Sequence, residues 1–305
     1  METFTIGLAT DSAYDDDFIN LIEEIAHGRQ LTTYKVQAYN LDETLHRLRK
    51  KDLQFLSLYD RASDTSPQFL ELYSVLPQDR VKYFVNVDLQ KRASDKSLMH
   101  SKFIAKGINI PKTIIVPELA REPKIELTEA DLDILGRPFV IKPSVNTGSG
   151  CGVYLNGFSI ADVEDKRYEY PDDKYLLQTK IYPRENNDRR FWFRVFYVCG
   201  TIIITWWDTH THRYEIFSQA DAEYVDVNHV REIMRKVYDV CGLDFFSTEL
   251  TVNEENEMYA IDYVNEICDM RLQSIHYDGI PDNVVRKIAR EIVKYIDKSL
   301  GKRTG

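Results

Sequence analysis

The sequence predicts an α+β protein in two parts: a small α/β unit with a parallel sheet, then a larger β-rich body with helices packed on it. Three observations predict this. Over the first ninety residues strand-like and helix-like runs alternate, the rhythm of βαβ units. From Tyr175 to Val264 apolar runs of strand length follow one another at short intervals. The chain closes on Val284–Ile296, whose apolar residues recur along one helical face. With 305 residues, 43% of them hydrophobic, the chain can bury a substantial core in one large domain or two to three small ones.

In chain order, Phe4–Thr10 reads as a strand and Asp17–Ala26 as a helix, from the spacing of Phe18, Leu21, Ile22 and Ile25. Thr33–Ala38 is a strand, Leu41–Arg49 a helix, Leu53–Tyr59 a strand, Pro67–Leu76 a helix and Tyr83–Val87 a short strand. This part holds no GxGxxG, so no dinucleotide site is expected in it. Leu98–Lys106 reads as a helix ended by Gly107. Residues 112–116 are a strand, Thr128–Leu135 a short helix, and 139–142 a strand. Tyr175–Ile181, Phe191–Cys199, Thr201–Trp207 and Tyr214–Phe217 are strands, and Val230–Cys241 is a helix followed by Gly242. Phe245–Val252 and Met258–Val264 form a hairpin across residues 253–256. The tail LGKRTG is expected to fray.

Lys+Arg 39 against Asp+Glu 49 leaves a net charge of −10. That balance opposes a nucleic-acid partner held by bulk charge and an anionic membrane surface. No apolar run is long enough for a transmembrane helix. The acidic N-terminus lacks the basic region of a signal peptide. Cys151, Cys199, Cys241 and Cys268 are scattered without a CxxC pair, so reduced thiols and a cytoplasmic setting are expected, with no zinc site.

Chemistry concentrates at two places. The stretch VIKPSVNTGSGCGV, residues 140–153, ends a strand in Lys142 and continues into a loop bare of large side chains from Ser144 to Gly152. A plain hairpin turn is one reading of such a loop. The other is a lid whose exposed N–H groups fold over an anion, with Lys142 as a fixed charge for a phosphate. It does not match GxxxxGK[ST]. The second place is the C-terminal hairpin. Glu249 in FSTELTV and Asp262, Asn265 and Glu266 in AIDYVNE supply the hard oxygen atoms that a divalent cation needs. Paired antiparallel, the runs can set Glu249 beside Asp262. A carboxylate interrupting an apolar strand is costly to bury unless a cation or donor meets it.

These pieces together resemble the ATP-grasp superfamily, in its carboxylate–amine ligase-like form with the glutathione synthetase type of ATP-binding fold. The order is Asp95-Lys96 opening a helix, Gly107–Thr113, FVIKPSVNTGSGCGV, LLQTKI, RVFYVCG from Arg194, GLDFFSTEL, and an acid-to-Asn motif near the end. The resemblance spans roughly residues 86–300 and implies an α+β ATP-grasp fold, two lobes clasping ATP, behind a small parallel-sheet domain. The implied division is 1–90 for that first domain, 91–174 for a lobe with the glycine-rich lid and 175–300 for a lobe with the metal site.

The resemblance further implies that Lys96 and Lys142 contact nucleotide phosphates and that the loop bearing Ser144, Gly148, Ser149 and Gly150 closes over them. Gln178, Lys180 and Ile181 would form the interlobe strand that reads adenine, and Glu185 would meet the ribose. Arg194 would face the transferred phosphoryl group, and Glu249, Asp262 and Asn265 would hold Mg²⁺ or Mn²⁺. There are departures. Asp262-Tyr-Val-Asn265 is one residue longer than the usual Glu-x-Asn, which a bulge could absorb, or Glu266 replaces or joins Asn265. Trp192 and Thr179 stand where acids are usual.

On the acceptor side lie Arg184, Arg189, Arg190, Arg194 and Arg271, forks suited to carboxylate or phosphate. Arg271 is assigned a catalytic role, whereas Arg189-Arg190 also read as a solvated turn. His210 and His212 in WWDTHTHRYE are read as a polar hairpin tip rather than a metal pair, and Cys151 as a small residue that fits its loop. One of Trp206 and Trp207 is expected in the core. The implied activity is ATP-dependent activation of a small-molecule or peptide carboxylate as an acyl phosphate, attacked by an amine or thiol. Alternatives are a small-molecule kinase resembling the inositol phosphate kinases and a non-catalytic ATP-binding module. A homodimer is possible.

Overall fold

The structure, a computed structural model, describes residues 1–77, 79–145, 150–186 and 189–301. The first part is built by β1 (Glu2–Thr10), α1 (Asp16–Gly28), β2 (Thr33–Val36), α2 (Leu41–Arg49), β3 (Leu53–Arg61), a helical turn at Pro67–Leu70 running into α3 (Glu71–Val75), and β4 (Lys82–Tyr83). The strands form a parallel sheet in the order β2-β1-β3-β4. The strand expected at Tyr83–Val87 is cut short. Asn86 caps α4 (Val87–Ser94) by accepting from the Leu89 amide at 3.0 Å, and an Asn N-cap overrides the β preference of two valines.

α5 (Lys96–Ala105) follows directly, then β5 (Thr113–Val116), α6 (Glu129–Leu135), β6 (Phe139–Pro143), β7 (Tyr154–Gly157), α7 (Ile160–Arg167) and β8 (Tyr175–Thr179). Helix α7 was not foreseen. A capping box of Ser159 and Asp162 starts it, so a local signal outweighs its weak apolar pattern. The strands of this region form an antiparallel sheet, β5-β8-β6-β7, with α6 and α7 burying Leu132, Leu135 and Val163 against Phe139, Ile141 and Leu177.

Two short strands, β9 (Glu185–Asn186) and β10 (Arg189–Arg190), precede β11 (Trp192–Val198), β12 (Thr201–Asp208), β13 (Arg213–Ile216), α8 (Val227–Cys241), β14 (Phe245–Val252), β15 (Met258–Asn265) and α9 (Asp282–Gly301). The five longer strands form an antiparallel sheet, β13-β12-β11-β14-β15. One face of that sheet packs on α5 and α8 through Phe103, Val230, Met234, Phe193 and Phe246. The other shares a core with the parallel sheet: Ile6, Leu8 and Phe18 meet Phe196, Val198, Ile288 and Ile292. Thus α9 returns the chain end to α1. All four cysteines are free, with Cys241 and Cys268 buried and Cys151 exposed. No helix among the described residues is long and apolar enough to cross a membrane.

Candidate active site

Lys142 stands next to last in β6 and is 5% exposed. Its ammonium reaches from one antiparallel sheet to the other, donating to the Ile261 carbonyl at 3.1 Å and standing 4.0 Å from Asp262 Oδ1. It also lies over the Tyr263 ring, 5.4 Å from its centre. Lys96, at the first position of α5, comes within 3.9 Å of the same Asp262 oxygen. A lysine at a helix N-terminus opposes the macrodipole. Asp95, the N-cap, offsets this: it accepts from the Leu98 amide at 3.1 Å and from the Ser97 and Ser144 hydroxyls at 2.7 Å each.

The hairpin geometry sets the acidic half. Glu249 faces Asp262 and Ser247 faces Asn265, with register shifts on either side of Glu249. Residues three apart on a regular strand point to opposite faces. The extra residue between Asp262 and Asn265 therefore restores both to the face that carries Glu249. The second shift leaves Ile261 without a ladder partner, and this is the carbonyl that Lys142 takes. The bulge expected from the longer spacing is present.

Arg194 on β11 lies opposite Glu249 and donates to its Oε1 at 2.5 Å. Trp192 donates its indole N–H to Glu249 Oε2 at 2.9 Å. Asn265 satisfies its amide when its oxygen accepts from Arg194 Nη1 at 3.3 Å and its nitrogen donates to the Ile267 carbonyl at 3.0 Å. A guanidinium thus sits on two of the three oxygen ligands expected for a metal. Trp192, read as a departure, is a partner of Glu249; only the register across β11 and β14 reveals it.

Burial and neighbouring charge compete at each group of the site. It pushes the Lys142 ammonium down to about 8, opposed by Asp262 and reinforced by Lys96. Burial would raise Asp262, but Lys96, Lys142 and Arg194 outweigh it and hold the carboxyl below its usual range. Burial likewise opposes the charge on Arg194, and Glu249 overcomes it.

The other expected site residues have partners of their own. Ser144 is 1% exposed, and its hydroxyl is engaged by Asp95 and by the Ser97 amide at 2.9 Å. Gly150 adopts a positive φ of 78° at the end of the loop, and Gly148 and Ser149 lie outside the described residues. The Gln178 amide is buried, donating to Thr113 Oγ1 at 2.9 Å and to the Tyr263 hydroxyl at 3.0 Å. Tyr263 also meets His100 Nδ1 at 2.9 Å, so the network ties α5, β5 and β8 to β15. Lys180 donates to Asn156 at 3.4 Å, Ile181 is half-buried, and Glu185 is exposed, 3.5 Å from Arg190.

The arginines do not form one cluster. Arg184 bonds Asn256 and the Tyr224 carbonyl, Arg189 pairs with Glu215 and Asp221, and Arg190 meets Thr209. Arg271 is held by Asp269 and Asp278, each 2.8 Å away, and its guanidinium lies 5.7 Å from the Tyr14 ring centre. Trp206 is buried, whereas Trp207 is half-buried with Arg194 5.2 Å from its ring. His212 stacks on Trp207 at the hairpin tip. Among the described residues no group of three or more His, Cys, Asp or Glu side chains is placed to hold a metal.

No protein-family model matches the chain, and no curated protein matches it in sequence. Its backbone does match solved structures. A RimK domain ATP-grasp protein from Sphaerobacter thermophilus superposes with a TM-score of 0.65 at 16% identity, covering 95% of this chain and 98% of that one. The chain has the ATP-grasp fold. D-Alanine–D-alanine ligase from Bacillus anthracis, solved with ATP, superposes on this chain with a TM-score of 0.64 at 15% identity, over 99% of this chain and 100% of its own. The macrocyclase MdnC from Microcystis aeruginosa, bound to a precursor peptide, gives 0.64 at 10% identity, over 95% and 99%. A D-alanine–D-alanine ligase and a macrocyclase bound to a precursor peptide thus share this architecture with the chain.

Asp262 and Glu249 fit a magnesium ion by their chemistry, because Mg²⁺ is held by one or two carboxylates with substrate phosphates and water. The cation now on Glu249 and Asn265 is Arg194, so these oxygens are already arranged to receive positive charge.

Proposed function

We propose that this protein is an ATP- and Mg²⁺-dependent ligase that activates a carboxylate as an acyl phosphate for attack by an amine or thiol. One observation carries the reading: Lys96 and Lys142, from a helix start and a strand end distant in sequence, converge on one Asp262 oxygen at 3.9 and 4.0 Å. Two buried ammonium groups beside one carboxylate leave a local positive excess suited to phosphate. In this reading residues 1–90, 91–174 and 175–300 act as substrate, lid-bearing and metal-bearing parts in a cytoplasmic setting.

The lysines neutralise phosphate oxygens and hold the triphosphate in line with the acceptor, since phosphoryl transfer depends on positioning and charge. Asp262 and Glu249, with Asn265, would hold Mg²⁺, which supplies charge neutralisation at the transferring phosphoryl group. Arg194, paired with Glu249, would offer its guanidinium fork to the carboxylate or acyl phosphate. Arg184, Arg189 and Arg190 are committed to residues 209–224 and 256, which favours a carboxylate acceptor over the strongly basic pocket of a phosphate-accepting kinase.

The test is ADP release with pools of small acids and amines, followed by mass detection of amide or phosphoester. Amide product is expected, and Asp262→Asn should lower turnover at least about 100-fold. Unchanged ATP consumption in that variant would refute the assignment, and nucleotide binding without turnover on any pool would refute the ligase.

A further inference from the structure

Helix α5 presents more than Lys96 to the candidate site. Lys96, His100 and Phe103 recur at i, i+4 and i+7 and so share one face. That face meets β15. Lys96 approaches Asp262, whereas His100 and Phe103 stand edge-on to the Tyr263 ring, with ring centres 6.0 and 5.3 Å from its own. His100 is 7% exposed and Tyr263 0%.

The direction of each proton around Tyr263 is fixed from one end of the network. Thr113 gives its hydroxyl proton to the Pro111 carbonyl at 2.8 Å, and a carbonyl only accepts. The Thr113 oxygen therefore accepts at its other contact, so the Gln178 atom 2.9 Å away is the amide nitrogen. The same nitrogen lies 3.0 Å from the Tyr263 hydroxyl and donates its second proton there. Tyr263 keeps one proton to give. Its remaining hydrogen-bond partner among the described residues is His100 Nδ1, at 2.9 Å. Nδ1 is then bare, and the imidazole is neutral with its proton on Nε2. Burial and the nearby Lys142 charge disfavour a second proton on this ring.

The Tyr263 hydroxyl is thus held from two sides, by β8 through Gln178 and by α5 through His100. Beyond its bond to the Ile261 carbonyl, the Lys142 ammonium rests over the Tyr263 ring, whose π face favours the charged form. A ring free to tilt gives up that support. We propose that His100 is a positioning residue for the nucleotide site: by accepting the Tyr263 proton at Nδ1 it holds the ring against Lys142 and so sets the place and charge of the ammonium. The proposal rests on the reading of Lys142 as a phosphate ligand and adds a residue that acts only through Tyr263.

Calorimetry of Mg·AMPPNP on the full chain tests this with two variants. His100→Leu removes the acceptor and should weaken binding by about tenfold. It should also move the loss of affinity with rising pH to lower pH, by about half a unit to one unit, because the ammonium loses the support of the ring. His100→Asn keeps an acceptor oxygen at the δ position and should restore most of both. Nitrogen NMR of the histidine-labelled wild type reads the tautomer directly, with His100 recognised by its contact with the Tyr263 ring; an imidazole protonated on Nε2 alone is expected. Unaltered affinity and pH profile in His100→Leu, an Asn variant no better than the Leu variant, or a proton on Nδ1 would overturn the proposal. An Nε2-protonated imidazole with no AMPPNP heat in the wild type would support the hydrogen-bond chain and overturn the nucleotide reading.

Discussion

Lys142 shows how burial tunes one side chain. Its ammonium sits at about 8, below the 10.5 of free lysine, because desolvation outweighs Asp262. The folded protein therefore binds fewer protons than the unfolded chain between about 8 and 10.5, and this residue makes stability rise with pH across that window. Nucleotide binding runs the other way, since a triphosphate needs the charged form. Affinity for Mg·AMPPNP should fall as pH rises through about 8, by up to about tenfold per unit. Calorimetry across the range checks it: Lys142→Gln should bind more weakly and lose this dependence, and a wild-type profile flat through that range would remove Lys142 from the phosphate site. Lys142 was legible in the sequence because a charged residue ending an apolar strand is costly. Trp192 was not, because its role exists only across a ladder.

Among the elements, β15 carries the most information. Its register shifts turn Asp262 and Asn265 to one face and free the Ile261 carbonyl for Lys142. The four-residue spacing made a bulge readable, whereas the second shift left no local mark. Tyr263, between the two ligand candidates, binds the sheets together through Gln178 and His100. Tyr263→Phe leaves these buried partners without their shared hydroxyl and should cost about 1–3 kcal/mol. Urea unfolding should show a lower midpoint with an unchanged slope; an unchanged midpoint would mean that water replaces the hydroxyl. Helices α4 and α7 followed their caps, Asn86 and Ser159, rather than apolar periodicity.

For the molecule as a whole, one core spans the parallel sheet, the five-stranded sheet and α9. Ile292 is 0% exposed in that core. Ile292→Ala should cost about 2–5 kcal/mol. Because both sheets share the buried surface, calorimetry should show a single transition at lower temperature. A split in which only the residues 1–90 unfold early would show that the sheets are thermodynamically separate. The site lies where the two antiparallel sheets meet, so changes in their spacing act directly on the distance from Lys142 to Asp262.

Apart from α4 and α7, the order of the longer strands and helices, the amphipathic closing helix, the loop-base lysine and the acidic hairpin follow from the sequence alone, since each depends on local periodicity, capping or the cost of a charge within an apolar run. Tertiary structure decided the rest. It paired Trp192 and Arg194 with Glu249 and dispersed the other arginines. Those outcomes depend on sheet register and on which charges lose water together, and neither quantity exists until distant segments pack.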